Sequence, residues 1–559
     1  MEPERRVTHP GWAPREPEEP RAPSLIDALI PMVVLIGLLS LTIVLFGIGA
    51  TDGPLQVALF ASALVAGLVA LKNGHTSAAI SDAAIGGVAS AMGAIYILLA
   101  VGALIGTWNL AGTIPTVVAY GIELLRPAIF YAAVAVICAL IGAVTGSSWT
   151  TAGTLGVAFI GMAPILGVST TIAAGAIISG AYMGDKMSPL SETTVLVPSL
   201  VGGVTTNEHI RGMLWTVVPS FLISVAVFFV LGLTEDTAGA IDTQVARDAL
   251  DGVFTIGWVN LIPIALLVVL ALKRVPPFLA IFGTAVLTGV LACVTQPDVV
   301  EAFVGEPDQG GLLNSIEAIY KAMATGFVST SGNETIDDLF SRGGMASMLT
   351  TVWLILGALS FAAIMEHAGM LNRLIAPLVA RAHSAARLII TVAGTCIGLN
   401  VVAGDQYVAD VLPSRVFRAD FAREGLAPRM LSRTVEDTGT VTSVLVPWNS
   451  CGAYMTGVLG VATMQYAPWA IFNYINPVVA IAYALTGFRV ERVPPNPGSV
   501  AVAGADADAG GGPPDATSGP GMATEVDTTS VRDARPSRSG DGGRRSGAVG
   551  LDDLDPDDL

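Results

Sequence analysis

Apolar residues run through this chain in blocks of about twenty, the length an α-helix needs to cross a hydrocarbon core of about 30 Å. Such blocks cover 25–48, 54–72, 88–108, 127–145, 152–168, 169–184, 213–233, 253–272, 277–295, 345–366, 386–404, 446–463 and 466–488. Several are short for a full crossing. The pattern therefore predicts an all-α polytopic membrane protein of roughly ten to thirteen helical segments, some of them half-spans or re-entrant pieces. Between Pro127 and Gly184 there is no Asp, Glu, Lys, Arg or His at all. That run ends abruptly in "GAYMGDKMSPLSETTVLVP", Gly180 to Pro198, where charge, hydroxyls and a proline arrive together.

Composition supports the membrane reading. Of 559 residues 52% are hydrophobic and 13% charged, with a mean hydropathy of +0.66, against about 25% charged residues in an ordinary soluble domain. A polar, Pro-rich leader precedes the first apolar block, unlike a secretory signal, so that helix is expected to be retained as a signal-anchor. Arg5, Arg6, Arg15 and Arg21 in the leader, Lys273–Arg274 and the arginines from Arg415 to Arg433 favour a cytoplasmic N-terminus in the cell membrane. From Arg489 the chain turns to Gly, Pro, Ala, Asp, Ser and Arg, a composition that cannot bury a core. The expected layout is a leader over 1–24, a first membrane repeat over 25–233, a connecting loop over 234–252, a second repeat over 253–488 and a disordered acidic tail over 489–559. The longer polar loop from Gln296 to Asn314 lies inside the second repeat.

The net charge is −17, and lysine occurs only at 72, 186, 273 and 321. An acidic, Lys-poor surface suits a halophile, because high salt screens its self-repulsion. Cys138, Cys293, Cys396 and Cys451 have neither disulfide nor metal spacing and read as small core residues. His75, His209 and His367 lie at predicted span ends and read as solvated histidines. With no phosphate-binding loop, zinc spacing or nucleophile elbow, neither ATP-driven transport nor enzymatic hydrolysis is indicated, and no cofactor or nucleic-acid partner is expected.

A charged side chain at the bilayer centre costs at least about 2.5–3.5 kcal/mol, so acidic residues inside apolar blocks usually face a cavity or a partner. Asp185, Glu192, Asp405, Asp410, Glu436 and Asp437 stand out on this ground. Gly180, Gly184 and Pro189 are expected to break the helix, and a break at membrane depth survives only where it lines protein or water. Freed carbonyls and hydroxyls there can replace the hydration shell of a hard cation. Ser188, Ser191, Thr193 and Thr194 supply hydroxyls around the first motif; Asn449 and Ser450 flank a second interruption at Pro447; Ser147 and Ser148 form a polar knot in the first half. Glu436 and Asp437 are adjacent, so at most one is expected to face a given site, with Arg433 or Arg415 as partner for the other.

The charge-free run precedes the acidic motif in the first half, and in the second it follows, from Thr438 to Phe488. That order fits two inverted repeats with broken helices or re-entrant hairpins, with the substrate between them.

At these residues the chain resembles the NhaC family of sodium/proton antiporters. The resemblance rests on "GTWNLAGTIPTVVAYG" (Gly106–Gly121), "TGSSWTTAGTLG" (Thr145–Gly156), "SGAYMGDKMSPLSETTVL" (Ser179–Leu196), "GDQYVADVLPSR" (Gly404–Arg415) and "GLAPRMLSRTVEDTGTVTSVLVPWNSCGAYM" (Gly425–Met455). It implies a secondary antiporter built from two inverted repeats, each with a re-entrant hairpin and a broken helix. Relatives in that family exchange sodium for protons, or organic acids and amino acids coupled to them. Na⁺ and H⁺ are then the transported partners in a lipid bilayer, and a homo-oligomer is left open.

The expected mechanism is competition of Na⁺ and H⁺ for one intramembrane carboxylate, since burial disfavours its charged form and a bound cation favours it. The candidate cation and proton site is Asp185, Glu192, Asp405 and Asp437 with Ser191, Thr193 and Asn449 as neutral ligands. Lys186 is expected either to neutralise a carboxylate or to snorkel to the interface. The alternative is exchange of a small organic acid or amino acid, for which Lys186, Arg415 or a half-helix N-terminus would meet the substrate anion. A passive channel would show rings of like groups, which the sequence lacks.

Overall fold

The computed structural model describes residues 20–493 apart from 236–242, 306–310, 331, 333–336, 338 and 380–383. Most of the leader and the acidic tail beyond 493 lie outside the described residues. Among the described residues the architecture is all-α, with no strand beyond one isolated bridge between Leu426 and Arg492. Eight helices among the described residues are long and apolar enough to cross a membrane: Leu25–Phe46, Pro54–Lys72, Met92–Leu110, Pro127–Thr145, Thr206–Thr234, Pro277–Thr295, Met345–His367 and Ala385–Val402. A ninth arises if Thr463–Trp469 and Ile471–Thr486, bent by 55° where they meet, are one span.

Local chemistry sets the ends. Ser24 with Asp27 and Thr205 with Glu208 form capping boxes that satisfy the first amides of their helices. Pro54, Pro127 and Pro277 open helices at the position where a missing N–H costs nothing. Pro127–Thr145 closes at Gly146, whose φ of 68° and close approach to Leu190 exclude a side chain.

The remaining apolar blocks are shorter or interrupted. Ser148–Ile165 passes through a π-helical turn at Ala152–Gly156. Thr170–Lys186 leaves the helix at Met187 and resumes as Glu192–Val201. Ala385–Val402 gives way to Gln406–Val416. Pro428–Val435 continues through a second π turn, Glu436–Thr440, and a 3-10 turn to Leu445, then breaks at Pro447 before Ser450–Leu459. The block expected over 446–463 is therefore a ten-residue half-helix. The connecting segments also carry helices, Thr243–Asp251 and Pro297–Val304.

Gly180 and Gly184 do not break their helix. They sit inside Thr170–Lys186 where it packs on Pro127–Thr145, and a Cβ on them would meet the Ala135 carbonyl at 2.1 Å and the Ala139 carbonyl at 2.2 Å. Residues four apart lie on one helix face, so the pair forms a groove that lets the backbones touch. The break belongs to Pro189 alone. Gly180→Leu or Gly184→Leu should lower the thermal midpoint of the purified protein by several degrees or abolish folded yield, because overpacking costs typically about 1–3 kcal/mol. Gly86→Ala, in the interior of the helix Ser77–Ser90 with nothing within 4 Å of the added carbon, should keep or slightly raise the midpoint in the same detergent melt.

Candidate functional site

The first acidic motif closes a helix that ends at the centre of the protein, so its last side chain must find a partner there. Lys186 is completely buried, too deep to snorkel, and its Nζ lies 2.8 Å from Oδ1 of Asp437, which is equally buried. It is an ion pair by distance, though it lacks hydrogen-bond alignment. The same Oδ1 accepts hydrogen bonds from Thr216 Oγ1 at 3.0 Å and Asn476 Nδ2 at 3.0 Å. Arg433 Nε stands 3.9 Å from Oδ2. Asp437 is thus held from three other helices: those of Lys186, Thr216 and Asn476.

Its neighbour differs. Glu436 is fully buried, and neither carboxylate oxygen accepts an aligned hydrogen bond. Around it are the Lys186 ammonium, the hydroxyls of Thr193 and Thr440, and the carboxyl of Asp185. Asp410, also fully buried and within electrostatic reach of Glu436, accepts from Thr440 Oγ1 at 2.9 Å through Oδ2, while Oδ1 has no partner. Gly439 leaves room for this carboxyl, since a Cβ there would stand 2.1 Å from Asp410 Oδ1 and push it aside. Asp185 is half-buried and accepts from the Ser148 amide at 3.0 Å, with the Ser191 hydroxyl also in reach. The cluster therefore holds the carboxyls of Asp185, Asp410, Glu436 and Asp437 against two cationic groups, Lys186 and Arg433.

Other expected site residues lie beside or outside this cluster. Asp405 caps the Gln406–Val416 helix through the Val408 amide at 3.1 Å and accepts from Ser450 Oγ at 3.2 Å. Asn449 caps the Ser450–Leu459 helix and donates to Asn400 Oδ1 at 3.1 Å. Glu192 is exposed and accepts a hydrogen bond from the Tyr407 hydroxyl. Ser147 caps the next helix at Thr150, Ser188 accepts from the Leu190 amide, and Thr194 donates to the Lys186 carbonyl at 3.1 Å, so these three lock turns. Ser191 and Thr193 share a hydroxyl contact of 3.3 Å. Arg415 is exposed.

Thr216, Asn400, Asn473 and Asn476 were not singled out from the sequence. A π turn takes carbonyls off the regular ladder, and buried carbonyls need donors. Asn476 supplies one to the Asp437 carbonyl at 3.2 Å, Asn400 to Gly439 at 2.6 Å and Asn473 to Val441 at 2.7 Å. The available signal was lone asparagines within uncharged apolar runs, in "IGLNVV" and "FNYINP".

Among the described residues no three His, Cys, Asp or Glu side chains converge as a metal-ligand set. A cation here would be held by one or two carboxylates completed by hydroxyl and carbonyl oxygens, the donors a hard ion prefers. The geometry separates structural from free carboxylates. Asp437→Asn should cost about 3–5 kcal/mol by leaving an unpaired buried ammonium, whereas Glu436→Gln should leave the detergent melting point within a few degrees. Pairing Asp437→Leu with Lys186→Met should recover part of the loss.

A model of the Na⁺/H⁺ antiporter family matches residues 14–201 and 180–488. The chain is 36% identical over 413 residues to the Na⁺/H⁺ antiporter NhaC of Alkalihalophilus pseudofirmus, covering 74% of this chain and 86% of that one. It is 34% identical over 472 residues to the malate-2H⁺/Na⁺-lactate antiporter of Bacillus subtilis, covering 84% and 96%. It is 33% identical over 484 residues to the arginine/ornithine antiporter ArcD of Halobacterium salinarum, covering 84% and 93%. With its multi-pass helical fold and the motifs described above, the chain belongs to the Na⁺/H⁺ antiporter family, in common with the NhaC proteins.

Proposed function

We propose that this protein is a secondary active antiporter, not an enzyme, that exchanges Na⁺ for H⁺ across the cell membrane, with its N-terminus in the cytoplasm. The observation that carries the reading is the excess of carboxyls: among the described residues the buried Asp410, Glu436 and Asp437, with the half-buried Asp185 beside them, lie against two cationic groups, Lys186 and Arg433. In a low-dielectric interior the surplus negative charge must be neutralised, by protons or by a cation. Glu436 and the free oxygen of Asp410 are the places for that neutralisation, with Thr193, Thr440 and Ser191 as supporting oxygens. Asp185, half-buried, is the carboxyl through which ions reach them from the broken helix. Na⁺ and H⁺ are alternatives on the same groups, so arrival of one expels the other.

The paired devices of the two halves, a π turn and an interrupted helix in each, support inverted repeats that rock around this centre only when it is neutralised. Exchange of an organic acid or amino acid, the activity named for two of the relatives, would need a free cation for the substrate anion. Lys186 is committed to Asp437 and Arg415 faces outward, which leaves a half-helix N-terminus, at Glu192 or Ser450, as the remaining group for such an anion and favours the inorganic reading.

Purified protein in vesicles should collapse a pH gradient on addition of Na⁺ alone. Glu436→Gln, Asp410→Asn and Asp185→Asn should each slow this by at least about tenfold, the factor given by about 1.4 kcal/mol of lost binding. Glu192→Gln, at the exposed edge, should stay within about threefold of wild type, less than about 1 kcal/mol. Because protons compete, apparent Na⁺ affinity should rise with pH. Silence with Na⁺ and a response only to malate or an amino acid would establish the organic exchanger instead.

A further inference from the structure

Burial changes abruptly at the two interruptions that flank the ion centre. The half-helix Glu192–Val201 starts just past the break at Met187–Ser191, Gln406–Val416 starts just past Asp405, and the two pack along each other. Glu192, the first residue of one, and Tyr407, the second of the other, are exposed. Immediately behind them the chain is sealed: Thr193, next to Glu192, and Asp410, about one turn after Tyr407, are buried.

The Tyr407 hydroxyl donates to a Glu192 carboxylate oxygen, joining the first half of the chain to the second. From this contact the polar groups lead straight inward. The Thr193 hydroxyl stands by the Glu436 carboxyl and meets the Ser191 hydroxyl at 3.3 Å, and Ser191 is in reach of Asp185. Glu192 is itself close enough to Asp185 for its charge to act on that carboxyl. The boundary between accessible surface and the buried carboxyls Asp410 and Glu436 therefore runs through the Glu192–Tyr407 pair. A hydrogen bond at an exposed position exchanges with water at little net cost, so it can be made and broken repeatedly. Parting the buried Lys186–Asp437 pair would instead strand two charges.

We propose that the Glu192–Tyr407 hydrogen bond is a gate of the exchange cycle. Closed, it holds the two half-helices together over the carboxyl cluster; parted, it admits water and Na⁺ to Glu436 and Asp410. Tyr407 is a positioning residue and touches no ion. Gln at position 192 keeps an oxygen that accepts from Tyr407, in line with near-normal exchange in Glu192→Gln, whereas Tyr407→Phe removes the donor. This inference rests on the Na⁺/H⁺ reading above.

The test uses the full chain in nanodiscs and in vesicles. In nanodiscs, Thr193→Cys places a thiol directly behind the gate, and its rate of reaction with a water-soluble methanethiosulfonate reports opening. Adding Tyr407→Phe should raise that rate about fivefold, equivalent to about 1 kcal/mol, while adding Glu192→Gln should leave it within about twofold. The chain without the new thiol gives the background of Cys138, Cys293, Cys396 and Cys451. A thiol from Thr288→Cys, buried on Pro277–Thr295, which packs on Met92–Leu110, should react no faster with Tyr407→Phe, so the effect is local to the gate. In vesicles, a two-armed methanethiosulfonate that bridges Glu192→Cys to Tyr407→Cys should slow Na⁺-driven collapse of a pH gradient at least about tenfold below either single variant given the same reagent. A thiol reductant should restore the rate. A bridged protein, its link confirmed by mass, that exchanges as fast as the single variants would overturn the gate, as would equal labelling of Thr193→Cys with and without Tyr407→Phe. A wild-type protein silent to Na⁺ would overturn the functional reading instead, and the labelling comparison, which needs no transport, would still decide the gate.

Discussion

The Lys186–Asp437 ion pair is the contact around which the centre of the protein is arranged. Each charge alone would cost several kcal/mol to bury, so neither residue is tolerable at this depth without the other. Because Lys186 ends a helix in the first half and Asp437 lies in a π turn of the second, their pairing fixes the break of one against the widened turn of the other. Thr216 and Asn476 add hydrogen bonds that use up Oδ1 of Asp437. Glu436, one residue earlier, is carried into the same interior with no such set of partners. A structural ion pair and a free carboxyl therefore arise from consecutive residues.

The surrounding scaffold keeps irregular backbone stable where there is no water to solvate it. Carbonyls in the π turn are taken up by the amides of Asn400 and Asn476 and that of Val441, just after it, by Asn473, and the break at Pro447 is tied to Asn400 through Asn449. Gly180 and Gly184 give the broken helix a rigid seat on Pro127–Thr145, so the break is confined to Met187–Ser191. Rigid helices ending in short polar interruptions are what an exchanger needs, since the ion ligands must hold their geometry while the larger bodies move.

Much of this was legible from residue patterns, for a physical reason. Charge inside an apolar run is costly, so Asp185, Glu192, Asp405, Asp410, Glu436 and Asp437 stand out together with Lys186, and the family resemblance rests on the same motifs; the pattern does not tell that Glu192 is exposed and that Asp405 caps a helix beside the cluster. What the pattern misread were residues whose meaning depends on a neighbour. Gly180 and Gly184 looked like helix breakers because the close carbonyls of Ala135 and Ala139 are distant in sequence. His209 looked solvated because a span end in sequence need not be an exposed position, and here the helix bearing Ser432 covers it.

The sequence by itself determined the solvent and the class: apolar blocks of spanning length dictate a helical membrane protein, and polar interruptions within them dictate where its chemistry can lie. The tertiary structure alone decided the division of labour among the carboxyls. Adjacent Glu436 and Asp437 are nearly equivalent in sequence, and only the approach of Lys186, Thr216 and Asn476 from three separate helices makes one a strut and leaves the other free. Electrostatic character of this kind comes from which groups converge through a low-dielectric interior, and convergence is a property of packing.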